Sequence, residues 1–292
     1  MADDDEALPR GDGDIALGRP RVHLRQTDST NVRARELASA GALHGTLVTA
    51  SVQSAGRGRQ GRRWSAPANS SLLMSLILRS PTPLLGLVAA VAVCDVADRS
   101  EIGLRAQIKW PNDIVLARAP SAAGMDAGPG DAGPADAGRG DAGPADAGRR
   151  DAEPKDAKPG VPAFAKLAGI LVEGRPQAGW AVLGIGLNVA VRLEQLPDEP
   201  RAGAATLGYS PDAIEPLLER LLVALARRLA EPEAATLEDW RARDVLYGRE
   251  IAWSSGGGRA AGIDGAGHLI VALADGTHIT LDAGEIHLRP VG

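Results

Sequence analysis

The chain has 292 residues and a formal net charge of −5, with 32 Lys and Arg against 37 Asp and Glu. This length accommodates one or two domains with a core of ordinary size. The single cysteine excludes a disulfide scaffold and a cysteine-based zinc site, and the mild acidity argues against a protein that coats nucleic acid. The acidic start at residues 3–6 lacks the basic and apolar regions of a signal peptide. Because no apolar run is long enough to span a bilayer, we expect a cytoplasmic protein without a membrane segment.

Two segments hold most of the acidic charge. Residues 1–14 carry a net charge of −5, and residues 117–162 carry −2 together with 9 Gly, 7 Pro and 13 Ala. The second segment contains a ten-residue repeat that begins at Asp131 and again at Asp141. Neither segment has enough apolar side chains to offset the entropy of ordering, so we predict a disordered acidic tail and a disordered insertion. The remaining residues carry about +2.

Strands and helices alternate in the rest of the chain. Apolar alternation and short apolar runs predict strands over 21–26, 46–53, 71–78, 106–110, 114–116, 167–173 and 180–187. Helical periodicity and end signals predict helices over 32–38, 84–96, 213–230 and 237–243. Five short segments separated by glycine turns then predict strands over 250–253, 260–264, 268–273, 278–281 and 285–288. This order indicates an α+β domain over 15–245, followed by a small C-terminal β-barrel over 246–292.

An arginine-rich glycine loop follows the second predicted strand. Gly56–Gly61 matches the G-x-G-x-x-G pattern, but neither the helix nor the acidic residue that a dinucleotide site requires follows it. A protein-kinase loop is also excluded, since no V-A-I-K strand comes next. Four arginines within 57–63 can present guanidinium forks and backbone N–H groups to phosphate. The alternative is a solvated basic loop that contacts nucleic acid.

Three further segments combine polar side chains with strand ends. In Lys109-Trp110-Pro111-Asn112-Asp113, the Asn and Asp could face a site, with Asp113 as a Mg²⁺ ligand, although Asn-Asp is also common in plain turns. Lys166 opens the strand after the insertion, where a lysine is ordinarily solvated. Glycines at 184 and 186 precede Asn188 and permit close approach of a ligand, although a plain turn is the simpler interpretation.

The order of these motifs along the chain resembles the biotin protein ligase family. The motifs are Asp28-Ser29-Thr30-Asn31, Gln53 with the Gly56–Trp64 loop, Lys109–Asp113, Lys166–Glu173 and Gly184–Asn188. The resemblance extends over about residues 21–190, and residues 248–289 resemble the family's SH3-like C-terminal domain. It implies a class II synthetase-like catalytic domain, with a mixed sheet flanked by helices. It also implies a ligase that uses ATP and Mg²⁺ to form biotinyl-5′-AMP and then transfers biotin to a lysine of a biotin carboxyl carrier domain.

The resemblance also implies roles for individual residues. Its biotin-binding set is Ser29, Thr30, Asn31, Gln53, Arg57, Gly58, Arg59 and Lys166. Its ATP-binding set is Arg59, Arg62, Trp64, Lys109, Asn112, Asp113, Lys166 and Asn188, with Trp64 positioned to stack on adenine. Its catalytic set is Arg59, Lys109, Asp113 and Lys166, with Asp113 as the Mg²⁺ ligand and candidate base of the transfer step.

Two departures from the family pattern matter. Only 28 residues precede Ser29, too few for the N-terminal winged helix of the DNA-binding members, so we expect no specific DNA binding. The insertion replaces a short turn, and we expect a hairpin with an extruded tip. The alternatives are a lipoate–protein ligase, a nucleic-acid-binding module that uses the arginine loop, and an interaction module built on the C-terminal barrel.

Overall fold

The computed structural model describes residues 17–98, 105–117, 164–175, 179–282, 284 and 286–288. The predicted acidic tail and nearly all of the predicted insertion lie outside the described residues. No helix in the described part of the chain is both long and apolar enough to cross a membrane.

A mixed sheet forms the centre of the larger unit. The first nine strands are β1 (Arg21–Leu24), β2 (Leu47–Ala50), β3 (Gly56–Arg57), β4 (Arg63–Trp64), β5 (Ser71–Arg79), β6 (Gln107–Lys109), β7 (Asp113–Ala117), β8 (Phe164–Arg175) and β9 (Trp180–Asn188). Seven of them form one sheet in the order β1-β2-β5-β9-β8-β7-β6, while β3 and β4 form a separate two-stranded ribbon. In the large sheet β1 pairs parallel with β2, and the other neighbours pair antiparallel.

Helices cover both faces of this sheet. They are α1 (Thr30–Ser39), α2 (Leu85–Ala97), α3 (Asp198–Gly203), α4 (Ile214–Ala230) and α5 (Glu233–Arg241). On one face α1 buries Ala34 and Ala38 against Val48, Ile77 and Val182. On the other face α2 contacts the sheet and is itself covered by α4 and α5. The near-continuous burial of α2 explains its run of Ala and Val, and α4 buries a leucine stripe with the helical spacing expected from the sequence.

The C-terminal strands form a second sheet. They are β10 (Glu250–Trp253), β11 (Gly256–Ile263), β12 (Leu269–Ala272), β13 (His278–Leu281) and β14 (His287–Leu288), in the antiparallel order β13-β12-β11-β10-β14. The sheet is tied to the larger unit by the buried indole of Trp110, whose Nε1 donates to Gly267 O at 3.0 Å. The α+β class, the mixed sheet with helices on both faces and the small β unit at the C-terminus are confirmed. The boundaries at 14/15 and 245/246 stay predictions.

Three local details bear on the expectations drawn from the sequence. The first helix begins at Thr30, two residues before the predicted start, and its N-cap residue Ser29 makes no side-chain cap hydrogen bond. The Asp28 carboxylate accepts the Ser29 N–H at 2.8 Å. The glycines at 184 and 186 lie inside β9, so the interpretation as a plain turn is wrong. The strands that flank the insertion do form the expected antiparallel pair, with Ala117 opposite Phe164.

Candidate active site

One cavity collects nearly all of the predicted site residues. It lies between the N-terminus of α1, the β3–β4 ribbon, the turn after β6 and the face of β8 and β9. Its lining includes Ser29, Thr30, Asn31, Gln53, Arg57, Gly58, Arg59, Arg62, Trp64, Lys109, Asn112, Asp113 and Lys166. Four motifs separated by up to 137 residues of sequence therefore meet at one place, as their order along the chain implied.

The end of the cavity at α1 is a buried polar network. Asn31 is 4% exposed, and its Oδ1 lies 2.6 Å from Ser75 Oγ, a side chain with no exposed surface. Ser75 Oγ also lies 2.8 Å from Thr30 Oγ1. The backbone N–H of Thr30 donates to Gln53 Oε1 at 2.7 Å, which fixes that amide. This end therefore offers several hydrogen-bonding groups on a preorganised frame.

Glycines in the sheet make room for the side chains of the site. A Cβ atom at Gly184 would lie 2.0 Å from Asn31 Oδ1, and one at Gly186 would lie 2.5 Å from Trp64 Cε2. A Cβ atom at Gly169 would lie 3.1 Å from Trp64 and 3.2 Å from Lys166. Asn31 and Trp64 thus rest directly on the backbone at Gly184 and Gly186, a packing that a larger residue there would disrupt, while a Cβ at Gly169 would crowd Trp64 and Lys166.

The opposite end of the cavity carries positive charge. Lys166 Nζ lies 2.6 Å from Asp113 Oδ1 and 5.7 Å from the centre of the Trp64 ring. A register shift between β7 and β8 aligns Val115 with Lys166 and Asp113 with Gly169. Side chains three residues apart face opposite sides of a regular strand, so this bulge is what brings Lys166 to the same side of the sheet as Gly169.

The arginine loop is a short hairpin rather than an extended loop. Gly56 pairs with Trp64 and Arg57 with Arg63 in the β3–β4 ribbon, and the Gly58 N–H donates to Arg62 O at 2.7 Å. A 3₁₀ turn over Arg59–Gly61 closes it. Burial lowers the pKa of the Arg59 guanidinium, and Arg62 acts in the same direction, while Asp113 opposes both. Arg59 nevertheless stays charged at neutral pH, because guanidinium pKa values lie far above it.

The Trp110–Asn112 turn connects the site to the C-terminal sheet. Asn112 makes two hydrogen bonds with Ile170 of β8. Its Nδ2 donates to the Ile170 carbonyl at 2.9 Å, and its backbone carbonyl accepts from the Ile170 N–H at 3.0 Å. Gly284 and Ile286, which lie between β13 and β14, complete the cavity wall. The turn is thus bonded to β8 through Asn112 and to the C-terminal sheet through Trp110. The Lys109–Asp113 motif is therefore both a turn and part of the cavity wall.

Asn188 is placed differently from the other predicted ligands. It is buried outside the cavity lining, where its Oδ1 accepts from Ser71 Oγ at 3.2 Å and its Nδ2 donates to Ala205 O at 2.9 Å. These bonds connect β9 to β5 and to the segment after α3. Its role in ATP binding stays a prediction.

Sequence reasoning missed three contributors to the site. Ser75 interrupts the apolar run of β5 and could have been recognised as a buried polar residue in an otherwise apolar strand. Glu173 ends the Lys166–Glu173 motif and had no predicted role, yet it contacts Asn31, Arg35 and Arg57. Ile286 gave no local signal, since its position in the cavity depends on how the C-terminal sheet packs.

Comparisons with known proteins agree with this geometry. The model of the biotin/lipoate A/B protein ligase family matches residues 23–125, and that of the biotin protein ligase C-terminal domain matches residues 255–289. A biotin--[acetyl-CoA-carboxylase] ligase of Mycobacterium tuberculosis is 30% identical over 291 residues, covering 91% of this chain and 88% of the relative. The chain belongs to the biotin protein ligase family.

Other biotin protein ligases match more locally or more distantly. The bifunctional ligase/repressor BirA of Bacillus subtilis is 42% identical over 105 residues, which is 34% of this chain and 32% of the relative. The match thus spans about a third of that protein. The structure of an Aquifex aeolicus biotin protein ligase in complex with biotin and ATP superposes with a TM-score of 0.65, at 20% identity, covering 94% of this chain and all of the other. That similarity establishes the fold.

The carboxylate that lines the cavity suits a Mg²⁺ ion that arrives bound to a nucleotide. Within the described residues, no three His, Cys, Asp or Glu side chains gather into a metal site. Mg²⁺ needs no such cage when phosphates and water supply most of its ligands, since one or two carboxylates then suffice. Asp113 is a carboxylate in the cavity wall, beside the cations expected to face phosphates. Asp113 is therefore the residue that would hold the ion.

Proposed function

We propose that this protein is an ATP-dependent biotin–protein ligase. In the first step a carboxylate oxygen of biotin attacks the α-phosphorus of ATP, the bond from that phosphorus to the β-phosphate oxygen breaks, and biotinyl-5′-AMP and pyrophosphate form. In the second step a lysine amine attacks the acyl carbon, AMP leaves with the bonding pair, and the amine loses a proton. The observation that carries the proposal is that one cavity joins the buried polar network at α1 to the cations of β6, β8 and the arginine hairpin.

The cationic end suits the charge problem of the first step. A carboxylate and a triphosphate repel each other, so bringing them together requires positive groups fixed in advance. Arg59, Lys109 and Lys166 line the cavity from three different elements. Asp113 keeps Lys166 Nζ in place, and a bound Mg²⁺ would neutralise part of the phosphate charge. Closure of the arginine hairpin over the acyl-adenylate would exclude water from this labile compound.

The polar end favours biotin over lipoate. The ureido group of biotin carries two N–H donors and a carbonyl acceptor, whereas the dithiolane ring of lipoate has no strong hydrogen-bonding group. Thr30, Asn31 and Gln53 line this end, and Ser75 lies behind them. An apolar ring there would cover these polar groups without adding a hydrogen bond, whereas each hydrogen bond to the ureido group would contribute about 0.5–1.5 kcal/mol.

The acceptor in the second step is proposed to be a lysine of a biotin carboxyl carrier domain. The M. tuberculosis relative is named for ligation to acetyl-CoA carboxylase, which supports an acceptor of that class. A lysine of ordinary pKa, about 10.4, must lose a proton before or during attack. Asp113, a carboxylate beside the cations of the cavity, is the proposed base. We place the reaction in the cytoplasm, without specific DNA binding.

ATP–pyrophosphate exchange tests the first step without a carrier protein. Radiolabelled pyrophosphate should enter ATP when biotin is present and should not enter when lipoate replaces it. Exchange with neither acid, or with lipoate alone, would refute the assignment. The nucleic-acid alternative predicts instead steeply salt-dependent DNA binding in the absence of ATP.

A further inference from the structure

Glu173 lies where the polar network, α1 and the arginine hairpin meet. It is on β8, and its side chain is 21% exposed. Its Oε2 accepts from Asn31 Nδ2 at 3.0 Å. Its Oε1 lies 3.2 Å from Arg35 Nη1 of α1 and 3.4 Å from Arg57 Nη1 of β3. One carboxylate therefore contacts a predicted biotin ligand and a predicted phosphate-loop residue at once.

The contact with Asn31 fixes which way its amide points. A carboxylate can only accept hydrogen bonds, and the Leu171 carbonyl, 3.5 Å from Nδ2, is a second acceptor on the same side. The NH₂ group of Asn31 must face these acceptors, so its Oδ1 faces Ser75 Oγ. Gly184 provides the space for that oxygen.

The orientation of Asn31 is passed on through the network. Asn31 Oδ1 cannot donate, so the single hydroxyl proton of Ser75 points to it across 2.6 Å. Thr30 Oγ1 lies 2.8 Å from Ser75 Oγ and itself donates to Gln53 Oε1 at 3.1 Å. The Glu173 carboxylate thus sets the orientation of the Asn31 amide, and through it the orientation of the Ser75 hydroxyl, at the polar end.

We propose that Glu173 is a positioning residue for the ligase reaction, which sets the orientation of Asn31 in the head-group site and anchors the arginine hairpin at Arg57, a predicted biotin ligand. The inference rests on the proposed function. It differs from a purely structural role, in which Glu173 would only fasten α1 to β8 through Arg35.

Kinetics of Glu173→Gln separate these roles. Glutamine keeps the size of the side chain but loses the charge that holds Arg57, and its own amide allows Asn31 to adopt either orientation. The KM for biotin should rise by about tenfold or more, as loss of one hydrogen bond to a charged group implies, while the KM for ATP changes much less. Arg35→Gln is the matched control, because it removes the third partner of Glu173 but lies outside the cavity lining, and it should leave both KM values unchanged. Unaltered kinetics in Glu173→Gln, or equal changes in both variants, would overturn the proposal.

The side-chain amide signal of Asn31 tests the same claim without activity. In ¹⁵N-correlated NMR spectra of the full-length free protein, assigned by comparison with Asn31→Asp, the Nδ2 protons should shift in Glu173→Gln and stay in place in Arg35→Gln. If the wild-type protein lacks biotin-dependent exchange, the proposed function fails, and this spectrum still decides whether Glu173 orients Asn31. An unchanged Asn31 signal in Glu173→Gln would refute the positioning role.

Discussion

Lys166 Nζ and Asp113 Oδ1 lie 2.6 Å apart across the bulged pair of strands β7 and β8. Both side chains are partly exposed, and ion pairs of this kind contribute little to stability. Their significance is positional, because the pair holds a cation beside the Trp64 ring in a cavity that would receive two anions. The electrostatic role of this lysine is open to direct test.

Replacing Lys166 with glutamine should lower ATP–pyrophosphate exchange by about 10²–10³-fold, because one preorganised donor to the reacting phosphate is lost. Arg59→Ala should lower it by orders of magnitude for the same reason. Exposed Arg220 on α4 offers a control, and Arg220→Gln should leave the rate unchanged. Wild-type exchange in Lys166→Gln would remove this lysine from the chemistry.

Gly186→Ala tests the close packing of Trp64 against the glycines of β8 and β9. The added Cβ would lie 2.5 Å from Trp64 Cε2, so the indole must move, and the KM for ATP should rise at least about tenfold if Trp64 contacts the nucleotide. Gly203→Ala is the control, since no atom lies within 4 Å of the Cβ position there. An unchanged KM for ATP in Gly186→Ala, with folding intact, would contradict the placement of Trp64 on the nucleotide side.

Trp110→Phe tests the connection to the C-terminal sheet. It removes the buried hydrogen bond to Gly267 O and should lower the free energy of unfolding by about 1–3 kcal/mol, because the carbonyl loses its partner. Urea denaturation followed by circular dichroism measures this loss. Trp253→Phe, at a half-buried position in β10, should cost less. An equal loss of unfolding free energy in the two variants would contradict a specific contribution of the Trp110–Gly267 hydrogen bond to stability.

Burial raises the pKa of Asp244 from 3.8 to about 6. The folded state therefore holds this proton more tightly than the unfolded chain, so the contribution of Asp244 favours folding below about pH 4 and is lost as the pH rises to about 6. Asn at this position does not titrate. Relative to wild type, Asp244→Asn should thus gain about 2 kcal/mol of unfolding free energy between about pH 4.5 and 7.5. A difference between Asp244→Asn and wild type that stays constant over this pH range would contradict the raised pKa.

The insertion should be dispensable for ligation. Since Ala117 and Phe164 are paired across β7 and β8, replacing residues 118–163 with Asn-Gly would close a two-residue hairpin of a favoured type. The shortened protein should retain wild-type exchange and carrier biotinylation. A folded but inactive deletion variant would show that the segment takes part in the reaction.

Much of the fold and of the site could be predicted because the signals are local. The leucine spacing of α4 and the apolar runs of β5 and β9 locate these elements within a few residues. The contacts between motifs were less accessible. Lys166 reaches the cavity only through a β-bulge, and bulges leave little trace in hydrophobic patterning. The partners of Glu173 and Trp110 lie on other elements, so their roles depend on packing that a single sequence does not specify.

The most direct test of the central claim is the intact mass of a biotin carboxyl carrier domain after incubation with this protein, biotin, ATP and Mg²⁺. The ligase assignment predicts a gain of one biotinyl group on a single lysine, which is absent when ATP is omitted and forms about 10²–10³-fold more slowly when Lys166 is replaced by glutamine. No mass gain on a folded carrier domain, or addition of lipoyl in place of biotinyl when both acids are supplied, would contradict it.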